Sequence, residues 1–281
     1  MVSADRGGVS VRARAATAQG RCRSRPSRPV AVRLGPLVLL GALLAACGPV
    51  PTGRVAPETS AGRFPAAMRP ALAAVARRVR LPVLAPTRLS GSSRHPVSVT
   101  YHAAGSGYEV VIYLTQKPLP ANSPAIERPP NGGLAQLLGG FGGQRLGSAA
   151  AARALLRKPA GGFVAPPRAG VSARTLAPRI TAETWLAGPP RAVVLWREDG
   201  WRLEVNQLPI SLLLPYAKSL ALYIAAHPLP AGPGTMLVMA AGDGDHAFLA
   251  WQRGRVVYTF WDYHSARGAV AMARSATRYM P

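Results

Sequence analysis

The last hundred residues state one pattern twice, and a duplicated pattern constrains a fold more than any single motif does. Residues 181–208, TAETWLAGPPRAVVLWREDGWRLEVNQL, can be laid beside residues 235–262, TMLVMAAGDGDHAFLAWQRGRVVYTFWD. Trp196 then meets Trp251, Leu203 meets Tyr258, and Val205 meets Phe260. Behind each block stands a helix-forming stretch with a small-residue step, AKSLA from Ala217 and ARSAT from Ala273. Each copy reads as strand, glycine-containing turn, strand, tight turn, strand, helix. Side chains alternate along a strand, so Trp201, Leu203 and Val205 share one face of the first copy, and Val256, Tyr258 and Phe260 share that of the second. That face is the expected core, lying under the helices. The opposite face differs between copies: Arg202, Glu204 and Asn206 correspond to Val257, Thr259 and Trp261. A polar row turned apolar predicts a covered or partner-binding patch, and Val257, Thr259 and Trp261 are the candidate partner surface.

Upstream the signals are sparser. Pro70 opens a short helix with Leu72, Val75, Ala76 and Val79 on one face. Val97, Val99 and Tyr101 alternate with polar residues, and after AAGSG the alternation resumes from Tyr108 to Thr115, which predicts a β-hairpin. Residues 116–168 are rich in Gly, Pro and Ala and, apart from a helix at residues 149–158, show no period, so they read as a low-complexity insertion. The stretch GGLAQLLGGFGGQRLG within them matches neither a phosphate loop nor a dinucleotide fingerprint. The expected fold is α+β: an antiparallel sheet packed against helices, two strand-strand-strand-helix repeats, a flexible N-terminal tether and the insertion.

Composition narrows the function classes. Hydrophobic residues make up 48% of the chain, but many are alanine and aromatics are 6%, so the packed part should be smaller than 281 residues suggest. Residues 1–46 hold eight of the 34 basic and one of the 11 acidic residues, which leaves 26 against 10 and a net +16 for the remainder. These arginines are scattered among Ala, Pro and Gly, without the basic stripe and interleaved aromatics of a nucleic-acid platform. No specific nucleic acid is expected as a partner. Weak attraction to anionic polymers stays open as a reading of the charge.

The N-terminal segment carries a sharper signal. Eight arginines precede the uncharged apolar residues 34–46, a run of signal-peptide length and too short to span a bilayer as a helix of about 20 residues. The run closes on Leu44, Ala45, Ala46 and Cys47, then turns at once into GPVPTG. This resembles the lipobox of bacterial lipoprotein signal peptides. The resemblance implies recognition of Leu44, Ala45 and Ala46 by the signal peptidase, lipidation of the Cys47 thiol, and cleavage that makes Cys47 the new N-terminus. Stable anchoring takes two acyl chains, and a diacylated cysteine supplies them. The implied organisation is a removed signal peptide (1–46), a lipidated cysteine and tether (47–67), and an exported domain (68–281). The implied location is the extracytoplasmic face of the cell membrane, with the membrane itself a partner through the anchor.

The Trp-bearing hairpin followed by a helix with its A[KR]S step is similar to extracytoplasmic sensor-like domains of some bacterial anti-sigma factors and of sporulation-associated lipoproteins. That likeness implies a non-catalytic α+β module. Asp243, Asp245, His246, Asp262 and His264 form the one polar cluster, and could hold a divalent ion if the hairpin ends met. Gly-Asp turns and a helix cap explain the same residues without a metal, Asp262 and Ser265 being rival caps. No nucleophile elbow, Ser-x-x-Lys or His-Glu-x-x-His motif occurs, and Cys47 is the sole cysteine after the signal. The expectation is a non-enzymatic, cofactor-free lipoprotein that binds an envelope protein as a sensor or assembly module. An envelope hydrolase using the Asp/His cluster is the alternative.

Overall fold

The computed structural model describes residues 63–89, 95–128, 135–157, 163–188, 190–241 and 244–281. Cys47 and residues 44–46 of the lipobox lie outside the described residues, as do Asp243 and most of the expected tether. At the tether's end, Phe64 is buried and stacks edge-on against Tyr279 at 5.4 Å, so the packed domain includes residues before 68.

A ten-stranded sheet runs in the order β2-β3-β4-β11-β10-β9-β8-β7-β6-β5. Its strands are β2 (Val97–Ala104), β3 (Gly107–Thr115), β4 (Ala135–Arg145), β5 (Ser172–Ala177), β6 (Ile180–Leu186), β7 (Ala192–Glu198), β8 (Trp201–Asn206), β9 (Gly234–Ala241), β10 (Gly244–Arg253) and β11 (Val256–Asp262). Helices α1 (Arg69–Arg78), α4 (Ile210–Ala226) and α5 (Ala266–Arg274) cover one face, hereafter the helix face. Two short helices, α2 (Pro124–Glu127) and α3 (Ala149–Arg157), are also present, and β1 (Leu84–Pro86) pairs with β12 (Ala276–Arg278) in a small second sheet. Tyr108 fastens this small sheet: its hydroxyl donates to Leu84 O and accepts from Leu84 N–H, both at 2.9 Å. The fold is the expected α+β sheet against helices.

The repeat is physical. Strands β6, β7 and β8 followed by α4 match β9, β10 and β11 followed by α5, and all six strands lie side by side. Trp196 sits opposite Leu203, and Trp251 opposite Tyr258, so the aligned pairs occupy the same rungs. Two-residue hairpins set both registers: Asp199 and Gly200 both take positive φ, as in a type I′ turn, and Gly254 takes φ 60° in the other. Strands β8 and β9 pair in parallel, because α4 carries the chain back over the sheet between them. In the first strands Ala182 and Gly234 are the partners of the two tryptophans, so Gly234 stands where the offset set by the tryptophans would put Leu237.

The second helix is shorter than the first. It ends at Arg274 where α4 runs on, and Thr277 then enters the edge pairing with β1. The largest departure is within residues 116–168. The supposed insertion supplies α2, α3 and, as β4, a strand in the interior of the sheet between β3 and β11. Its glycines conceal the strand period. Leu138 and Phe141 are its buried large side chains, Phe141 stacked on Phe260 at 5.6 Å. Gly140 has to be glycine: a Cβ would overlap the Trp261 ring and lie 2.5 Å from Val110 O.

Candidate functional site

Helices α1, α4 and α5 pack over most of the helix face, where a cleft of about 320 Å³ remains between Trp251 and the end of α5, while the outer face carries the residues that differ between the repeats. There the two repeats differ as their sequences do. In the first, Glu204 is fully buried and accepts from Val164 N–H at 2.9 Å, Asn206 Nδ2–H at 3.1 Å and Arg202 Nη2–H at 3.3 Å. Val164 packs on Trp185, Val193 and Leu195, while the Arg202 guanidinium lies 4.8 Å from the Phe163 ring centroid. The chain at residues 163–164 thus roofs this polar row. Burial pushes the Glu204 carboxyl above its ordinary value, while the Val164 and Asn206 donors and nearby Arg202 pull it back.

In the second repeat Val257 is 2% exposed, covered by Ala152 and Leu156 of α3. It is therefore packing and not free surface, which corrects that part of the expected partner patch. The cover comes from α3, because an amphipathic helix four residues beyond β4 drops onto the outer face. Thr259 and Trp261 remain half-buried. Trp261 lies against the backbone of β4 at Gly140, its cross-strand neighbour, beside Phe248 on β10.

Among the described residues the Asp/His candidates are not gathered into one group. Asp245 faces the helices and accepts a hydrogen bond from Tyr216 OH at 2.5 Å; burial and this carboxylate both push the Tyr216 phenol far up. His246, next along the strand, points to the outer face and meets the Tyr263 ring at 4.9 Å. Asp262 is buried and accepts from His264 N–H and Ser265 N–H at 2.8 and 3.0 Å. Ser265 Oγ caps α5 by accepting from Gly268 N–H, so the two rival caps act in series. His264 Nε2 lies 3.1 Å from Leu137 O. Among the described residues no three His, Cys, Asp or Glu side chains form a metal-sized group.

Two clefts flank the apolar stretch. One, of about 310 Å³, is lined by Thr100, His102, Glu109, Val111, Asn122 and Glu127. His102 sits opposite Glu109, whose carboxyl burial pushes up and the nearby imidazole draws down. The other, of about 380 Å³, brings Arg153 and Arg157 of α3 to Arg197 of β7 and Arg202 of β8. Along the sequence these arginines look scattered. Two signals could have joined them: the i, i+4 spacing on a helix, and positions equidistant from the Asp199-Gly200 turn, which makes Arg197 and Arg202 cross-strand partners.

Among the described residues, no helix is long and apolar enough to cross a membrane. Comparison of the chain with protein-family models, with curated proteins and with solved structures gives no match.

Proposed function

We propose that this chain is a lipid-anchored, non-enzymatic protein of the bacterial cell envelope, whose α+β domain binds an envelope partner on the outer face of its sheet. The anchor rests on the Arg-rich segment, the uncharged run and the Leu44-Ala45-Ala46-Cys47 box that ends it. The observation that carries the binding role is Trp261, a half-buried indole on a glycine floor where the first repeat has Asn206. Large aromatic side chains on an open sheet face are the usual anchors of recognition surfaces. Asp245 and His246 point to opposite faces of β10, which supports a binding reading over a hydrolase built on those residues.

Fractionation of cells producing the native chain and a Cys47→Ala variant tests the anchor. The native chain is expected in membranes as a processed form, and the variant as unprocessed precursor. Equal processing of both would contradict the reading. Capture from solubilised membranes with native protein and Trp261→Ser tests the surface, with loss of at least one stoichiometric partner expected and identical partner sets contradicting it.

A further inference from the structure

We infer that the cleft between α3 and the β7–β8 hairpin is a binding site for a phosphate-bearing anion with two or more negative charges. The proposal does not depend on the lipid anchor or on Trp261. Arg153, Arg157, Arg197 and Arg202 line the cleft together with Leu156, Gly200 and Thr235, and among the described residues no acidic side chain does.

These guanidiniums are placed against their own electrostatics. Arg197 and Arg202 are directly opposed across the antiparallel β7–β8 pair, a position where like charges destabilise a sheet. Arg153 and Arg157 stand at i and i+4 on α3, where like charges destabilise a helix. Both unfavourable pairs turn toward one cavity of about 380 Å³. Arg202–Glu204 is the one ion pair among the described residues, so the acidic side chains at hand neutralise one of the four. Arg202 is also held in place, by Glu204 and by the Phe163 ring, while its buried Nε–H has no acceptor among the described residues. A preoriented guanidinium loses little freedom on binding.

A phosphate group answers this arrangement. Its oxygens match the planar fork of a guanidinium in bidentate pairs, and a dianion relieves the repulsion within both arginine pairs at once. A monocarboxylate would leave most of the charge uncompensated. The rim suits a phosphomonoester or diphosphate, whether free or as the headgroup of a lipid.

Calorimetric titration of inorganic pyrophosphate into the full-length protein in neutral detergent, at about 150 mM salt where distant surface charges are screened, tests the site. Saturable one-to-one binding is expected. Arg153→Gln with Arg197→Gln should weaken it by about tenfold or more, whereas Arg174→Gln with Arg191→Gln, an equal loss of exposed charge elsewhere, should change it by less than about twofold. Competition by short-chain phosphatidic acid assigns the site to a lipid headgroup; pyrophosphate binding without such competition assigns it to a soluble phosphate. If the cleft variant misfolds, thermal unfolding of the native chain decides, because a specific ligand raises the midpoint above that in sodium chloride of equal ionic strength. Absence of binding, equal loss in both double variants, or identical midpoints in the two salts would overturn the proposal.

Discussion

On the helix face, the third strand of each repeat presents the same kind of row: Trp201, Leu203 and Val205 in one, Val256, Tyr258 and Phe260 in the other, all buried beneath α4, α5 and α1. On the outer face the rows diverge into Arg202, Glu204 and Asn206 against Val257, Thr259 and Trp261. The neighbours diverge with them. Across β8–β9 Asn206 faces Met239, while across β11–β4 Trp261 faces Gly140. A duplicated sheet holds the shared core constant because every strand must fit the same helices. Its other face is free to be covered differently in each copy, by residues 163–164 over the first and by α3 over part of the second, where Trp261 lies across Gly140 of the neighbouring strand.

Unequal packing losses should separate the two copies first. Trp251 touches Trp201, Tyr258 and Phe260 at 6.4, 5.8 and 5.2 Å between ring centroids, whereas Trp196 has no such aromatic neighbour among the described residues. Trp251→Ala is expected to destabilise by about 4 kcal/mol in urea unfolding, and Trp196→Ala by about 1 kcal/mol less. Equal losses would mean that the aromatic cluster adds nothing to the second copy. Next in size, Gly140→Val should cost about 3 kcal/mol through collision with Trp261 and Val110 O, while Gly147→Ala, with nothing near its Cβ, should stay within about 0.5 kcal/mol. A mild Gly140→Val effect would show that Trp261 does not need the glycine floor.

The smallest expected effect separates the polar row from the apolar one by pH. The folded chain holds the Glu204 proton more tightly than the unfolded chain does, because burial raises its pKa. Stability from this group is therefore fully present below the ordinary carboxylate value of 4.5 and falls as pH climbs from there through the raised value. Urea midpoints of native and Glu204→Gln protein, measured from about pH 4 to pH 8, should give a native-minus-variant difference that declines with pH and then levels. A Thr259→Val control in the second copy should show no such decline, and a rising difference for Glu204→Gln would contradict the buried-acid account.

Much of the second half was legible because its physics is local. Strand alternation and two-residue turns make the Trp196/Leu203 and Trp251/Tyr258 rungs readable from residue order alone. Strand β4 was not, since glycine leaves no hydrophobic period and its place in the sheet depends on Trp261 and Val110 far away in sequence. The same non-local cause hid the burial of Val257 and Glu204, whose roofs come from residues 149–157 and 163–164. The Arg cleft is invisible to net charge read along the chain, whereas helix spacing and hairpin register bring its members together in space.

Both repeats, and whatever meets their outer faces, are proposed to work outside the cell membrane on one covalent tether. Intact-mass and peptide mass spectrometry of the protein purified from native membranes tests that most directly. The account predicts a chain beginning at Cys47, its sulfur carrying a diacylglyceryl group; a chain that runs through residue 47 with a free thiol would contradict it.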